Sequence, residues 1–144
     1  MQKLITDIQL LNNDGEMITR DVRLADGKVA EIGEQLEVGT SEVIEGKGLF
    51  LSPGFIDVHV HLREPGGEHK ETIKSGTHAA AKGGYTTICP MPNTRPVPDT
   101  KENLTLVNNL IEENALIRVL PYASLTIREA GKERTNLSEL KEHG

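Results

Sequence analysis

The chain has one cysteine, Cys89, and no tryptophan. A single thiol cannot form a disulfide within the chain, and it excludes zinc sites built from several cysteines. Aromatic side chains are scarce, with two Phe and two Tyr in 144 residues. Any core must therefore be aliphatic, drawn from Leu, Ile, Val and Ala. Hydrophobic residues make up 36% of the chain, on the low side for a self-sufficient globule. No apolar run approaches the ~20 residues that a membrane helix needs. The formal net charge of −6 leaves no excess of Lys and Arg, on which binding to a nucleic-acid backbone depends. Residues Met1-Gln2-Lys3-Leu4-Ile5-Thr6-Asp7 lack the apolar core of a secretory signal. These absences lead to the expectation of a soluble cytoplasmic protein with neither nucleic acid nor membrane as partner.

What is present divides into two styles. Residues 1–52 read as short strands and tight turns. Leu4, Ile5, Ile8, Leu10 and Leu11 mark a first strand, and Asn12-Asn13-Asp14-Gly15 is a turn. A second strand follows from Met17 to Leu24, and Asp26-Gly27 turns into a third. Val43-Ile44 and Leu49-Phe50-Leu51 flank a further turn. Five short strands in this space suggest a small β-rich domain, part of a β-sandwich. Residues 53–144 change rhythm. Strands at 55–61, 85–89 and 116–124 alternate with helices at 71–82, from Asp99-Thr100-Lys101-Glu102 onward, and from Asn136 onward. Strands alternating with helices imply a parallel sheet with right-handed crossovers. The fold class expected is α/β: a small β domain, then the first three βα units of an incomplete TIM-type (β/α)8 barrel. A third helix near Leu137 has room for only two turns, so the expectation is the N-terminal portion of something larger.

The chemistry concentrates after the first two of these strands. Asp57-Val58-His59-Val60-His61 closes an apolar run. Side chains two apart on a strand share a face, so His59 and His61 aim at one point with Asp57 below them. Neutral imidazoles converging from one strand suit zinc. The bland alternative is two polar residues closing a strand. Asp57 has two readings as well: receiving a histidine ring N–H and fixing its tautomer, or bonding to backbone amides.

Arg63 lies two residues past His61 and points to an anchor for an anionic substrate, since guanidinium grips carboxylate in bidentate fashion. Pairing with Glu64 or Glu68 is its alternative. Asn93, on the stiff loop between Pro92 and Pro96, offers a donor and an acceptor to an amide-like ring, or serves the turn. His69 and His78 fall outside the strand-end pattern, and Cys89 reads as a small buried hydrophobe.

The segment Pro53-Gly54-Phe55-Ile56-Asp57-Val58-His59-Val60-His61-Leu62-Arg63-Glu64-Pro65-Gly66 resembles the opening strand of the amidohydrolase superfamily, and most closely the dihydroorotases of the longer bacterial type. Met91-Pro92-Asn93-Thr94-Arg95-Pro96 resembles their second signature. Ala25-Asp26-Gly27-Lys28-Val29-Ala30-Glu31-Ile32-Gly33 is similar to the small β domain that precedes their barrel. The resemblance implies that His59 and His61 are ligands of the more buried zinc of a two-metal centre. It implies that Arg63 and Asn93, with His61 beside them, bind the substrate. It implies the reversible cyclisation of N-carbamoyl-L-aspartate to dihydroorotate in pyrimidine synthesis, with a homodimer as the expected assembly of the full-length enzyme. The remaining ligands and the acid–base residue come from later strands of such barrels. No catalytic residue is therefore assigned here, and the 144 residues alone are expected to be inactive. Allantoinase- or hydantoinase-like cyclic amidases, and a non-catalytic structural partner, are the alternatives. Arg63 and Asn93 argue against the first, and intact His59 and His61 against the second.

Overall fold

A computed structural model describes residues 2–143. The chain forms two compact units, Met1–Pro53 and Gly54–Gly144. The architecture is the expected one, a small β unit and then three successive βα steps.

The first unit is one sheet of four strands: β1 (Gln2–Leu11), β2 (Met17–Ala25), β3 (Lys28–Gly33) and β4 (Glu42–Glu45), in the order β3-β2-β1-β4. β2 is antiparallel to both β1 and β3, whereas β4 runs parallel to β1. Asn12 builds the first turn, its Oδ1 accepting from the N–H groups of Asp14 and Glu16 at 2.9 and 2.8 Å. Asp26 and Gly27 both take positive φ (52° and 73°), the backbone of a two-residue hairpin turn that matches strand twist. Leu4 and Val22 are fully buried between the strands, with Ile8 beside them. The expected fifth strand at 49–51 is reduced to one parallel bridge, Gln9 to Phe50.

The second unit carries a parallel sheet in the order β5-β6-β7. Its elements are β5 (Phe55–Val60), α1 (Ile73–Lys82), β6 (Tyr85–Pro90), α2 (Lys101–Asn114), β7 (Arg118–Val119), a 3-10 turn (Ile127–Glu129) and α3 (Leu137–Glu142). Its core is aliphatic, as the composition requires: Leu62, Ile73, Ile88 and Val119 cluster there, all buried. No helix of the described residues is long and apolar enough to cross a membrane.

α1 starts at a reciprocal cap. Thr72 Oγ1 accepts from the Ser75 N–H at 3.0 Å, and Ser75 Oγ accepts from the Thr72 N–H at 3.1 Å. It stops at Gly83, whose N–H bonds back to the last turn. Two expectations need correction. The cap of α2 is Thr100, which accepts from the Asn103 N–H at 3.3 Å, and not Asp99. Asp99 is buried instead, accepting from Asn103 Nδ2 at 3.1 Å and from the Arg128 N–H at 2.6 Å. Glu102 then sits in the first turn, where its own N–H and the Thr100 hydroxyl hold its carboxyl below the usual range. The strand expected over 116–124 is laddered only at Arg118–Val119. Pro121 has no N–H to give the ladder. The chain still runs beside β6, with Leu120 and Tyr122 donating to Ile88 and Pro90.

Thr77 joins α1 to the approach to β7. It is fully buried; its Oγ1 donates to the Ile73 carbonyl at 2.7 Å and accepts from the Leu116 N–H at 3.2 Å. Thr77→Val keeps the shape and orphans that N–H. Its expected cost is ~1–3 kcal/mol of stability, read as a lower urea midpoint with an unchanged slope.

Candidate metal centre

β5 delivers His59 and His61 to one face by its period of two. Their ring centroids lie 5.4 Å apart, with the planes inclined at 69°. The pair sits at the end of the strand, His61 being the first residue beyond β5. His61 Nδ1 lies 3.1 Å from Asn93 Oδ1. An amide oxygen can only accept, so this contact selects the tautomer with the proton on Nδ1, which leaves Nε2 as the nitrogen able to bind a metal. The loop after β6 thus sets the tautomer of a residue on the loop after β5. This is the support a metal-bound imidazole usually receives.

Asp57 takes the second of its two readings. Its Oδ1 accepts from the backbone N–H of His59 at 3.0 Å, and no ring N–H of either histidine reaches it. It fixes the strand that carries the pair rather than a ring.

Arg63 follows on a backbone with φ of 67°, in the left-handed region. Neither Glu64 nor Glu68 pairs with it. Glu64 Oε2 accepts from the Ile73 N–H at the start of α1 at 2.7 Å, where a carboxylate also meets the positive end of the helix. Glu68 Oε1 accepts from the Gly66 N–H at 2.7 Å; that bond first, and then its own N–H, hold its carboxyl below the usual range. The Arg95 N–H donates to the Pro65 carbonyl at 2.9 Å, and the Met91 N–H to Val60 at 2.8 Å. Thr94 Oγ1 donates to the Pro96 carbonyl at 2.7 Å and stiffens the loop around Asn93. The two loops therefore form one braced unit holding His61, Arg63 and Asn93.

Gly66 is the closest point of that brace. It has φ of 89°, and a Cβ there would stand 2.5 Å from the Arg95 carbonyl oxygen. Gly66→Ala is expected to cost at least ~1–2 kcal/mol from the left-handed backbone alone. The clash then separates the loops, so the Arg95 amide loses protection against hydrogen exchange while the amides of α2 keep theirs.

The donor set fits a zinc ion in part. Two imidazoles converge, one with its tautomer already set, and nitrogen ligands suit zinc. Among the described residues no third His, Cys, Asp or Glu joins them. His69 and His78 are exposed and lie apart from the pair, and Cys89 is buried. Beside His59 opens a broad concavity of about 590 Å³, walled by Met91, Pro92 and residues 122–126. Sequence reasoning placed residues 122–124 of that segment at the end of a strand and missed the wall they form; Pro121 was the available signal. It also missed the bond from Glu64 to the start of α1, a contact nine residues long with no local pattern.

The sequence profile of the dihydro-orotase-like family matches residues 48–144. A dihydroorotase of Macrococcus caseolyticus is 58% identical over 144 residues, which is all of this chain and 34% of that protein. A dihydroorotase of Anoxybacillus flavithermus is 54% identical over 145 residues, again 34% of its length. Among solved structures, an L-hydantoinase (dihydropyrimidinase) from Arthrobacter aurescens superposes with a TM-score of 0.78 at 27% identity, covering 99% of this chain and 30% of that one. The chain spans about a third of the length of the curated relatives it matches. With a family profile covering both histidine and asparagine loops, this chain belongs to the dihydro-orotase-like family.

Proposed function

We propose that this chain carries half of the zinc centre, and the carboxylate-recognition side, of a dihydroorotase. The proposed reaction is the reversible cyclisation of N-carbamoyl-L-aspartate to dihydroorotate in pyrimidine synthesis. The observation that carries the reading is the 3.1 Å contact between His61 and Asn93, which joins the two loops into one site. His59 and His61 are the proposed metal ligands. Zinc held there supplies Lewis-acid polarisation of the ring amide.

The remaining roles belong to protein side chains. Asn93 keeps the proton of His61 on Nδ1, and its own amide N–H groups are left to meet the ring. Arg63 grips the exocyclic carboxylate, so binding fixes the orientation of the ring. Glu64 ties the loop that carries Arg63 to the start of α1, and Asp57 holds the backbone of His59. No acid–base group is proposed among these 144 residues, and the polypeptide alone is proposed not to turn over substrate. The part from residue 53 onward is read as the opening of the barrel.

The likeness to an L-hydantoinase favours a second reading, a cyclic amidase for uncharged rings. Dihydroorotate and dihydrouracil separate the two, because they differ by the carboxylate alone. The first reading expects the zinc-loaded protein to bind dihydroorotate at least ~10-fold more tightly, the scale of one charge-assisted pair, and Arg63→Ala to erase the preference. Equal binding, or tighter binding of dihydrouracil, would support the second. Turnover of dihydroorotate by the 144-residue protein would contradict the division of labour proposed here.

A further inference from the structure

Of the aspartates and asparagines in the chain, two are followed by glycine, Asp14 and Asp26. Such a pair can react with itself. A glycine nitrogen has no Cβ beside it, so it reaches the carboxyl carbon of the preceding residue with least obstruction. Both pairs are exposed, and both lie in turns of the first unit. The backbone separates them. In the turn after β1 the Gly15 N–H donates to the Asn12 carbonyl at 3.1 Å. Asn12 Oδ1 braces the same turn through the N–H groups of Asp14 and Glu16. The nucleophile of that pair is therefore tied. In the turn between β2 and β3, no group among the described residues accepts from the Gly27 N–H. The Asp26 carboxylate joins none of the ion pairs there. Nothing lies within 4 Å of the place a Cβ of Gly27 would take, so the approach is open.

We propose that Asp26-Gly27 is a site of spontaneous aspartate isomerisation, and that the Asn12 turn protects Asp14-Gly15 from the same reaction. The Gly27 nitrogen attacks the Asp26 Cγ and loses its proton, and a carboxyl oxygen leaves as water. The product is a succinimide ring. Water then adds to one of the two ring carbonyls. Opening at the α-carbonyl leaves the chain running through Cγ, and the former main-chain carbonyl becomes a carboxylate. One water leaves and one enters, so mass, charge and redox state are unchanged. The reaction needs neither zinc nor substrate. Its product places one extra backbone carbon in a turn of only two residues, with Ala25 opposite Lys28. β3 is an edge strand that pairs with β2 alone, so no second neighbour restores its register. Isomerisation therefore loosens β3 and leaves the pairing of β1 with β2 and β4 intact.

The test ages the 144-residue protein at neutral pH, folded in buffer and unfolded in guanidinium chloride. Trypsin then separates the two sites into the peptides Leu24–Lys28 and Leu4–Arg20. Chromatographic retention and electron-transfer fragmentation count isoaspartate at each. In the folded protein Asp26 is expected to convert at least ~5-fold faster than Asp14, the scale of one net hydrogen bond. In guanidinium the two rates are expected to converge. N12A is expected to raise the Asp14 rate at least ~2-fold and to leave Asp26 unchanged. After conversion the paired amides of β3 are expected to lose protection against hydrogen exchange, while those of β1 keep theirs. Amide spectra report the folding of N12A; should it unfold, the folded and unfolded forms of the unsubstituted protein decide. Equal rates at the two sites in the folded protein, or a faster Asp14, would overturn the proposal. So would an Asp26 that stays intact once the unfolded protein has converted, N12A without effect on Asp14, or β3 amides that conversion leaves protected.

Discussion

Alanine at His59 or at His61 is expected to lower the zinc affinity of the protein by more than ~100-fold, beyond the ~10–100-fold that loss of an outer partner costs. The reason is the small donor set. Two imidazoles converge on one face of β5, and no third ligating side chain joins them among the described residues. Removing either leaves a single monodentate ligand. Asn93→Ala should fall in the smaller range, because it frees the His61 ring to rotate and change tautomer without removing a donor. His69→Ala and His78→Ala should have no effect. Calorimetric titration of zinc into the five variants and the unsubstituted protein at neutral pH orders them. Loss of binding in the His69 or His78 variant, with the pair intact, would place the ion elsewhere.

The second large effect lies beneath the site. Ile88 is 1% exposed and central to the core of the second unit, on the strand that leads into the Asn93 loop. Ile88→Ala removes three buried carbons from an aliphatic core with few aromatic groups to relax into the space. A loss of ~2–5 kcal/mol is expected, against ~0.5–1.5 for Ile88→Val. The total stability of a domain is only ~5–15 kcal/mol, so the alanine variant approaches unfolding at ordinary temperature. Urea unfolding of the three proteins gives the order. A shift for alanine no larger than that for valine would mean that β6 is not the centre of this core.

Much of this was legible from residue order. The pairing of His59 with His61 needs only the period of a strand, and the Thr72–Ser75 start and Gly83 stop of α1 are local chemistry. The motif around Arg63 and Asn93 is enough by itself to point to the family. The rest depended on which of several available partners each group takes. Asp99 looks like a cap because a helix follows it, yet its carboxylate serves Arg128, 29 residues on, and Thr100 takes the cap. The strand over 116–124 is apolar enough, but Pro121 interrupts its ladder. Asp57 had two readings, and its carboxylate accepts from the backbone N–H of His59. Arg63 and its two neighbouring acids suggest ion pairs on paper, whereas both acids bond to N–H groups and leave the guanidinium available. For Asp57, Glu64, Glu68 and Asp99 a backbone N–H competed for the carboxylate and won.

The paired-histidine centre is tested most directly by X-ray absorption at the zinc edge of the protein loaded with one zinc per chain. The expected spectrum has two imidazole nitrogens at about 2.0–2.1 Å, oxygen filling the other positions, and no sulfur shell near 2.3 Å. In the His61→Ala protein the imidazole count should fall to one or the zinc should be lost. A sulfur shell from Cys89, or an imidazole count unchanged by His61→Ala, would contradict it.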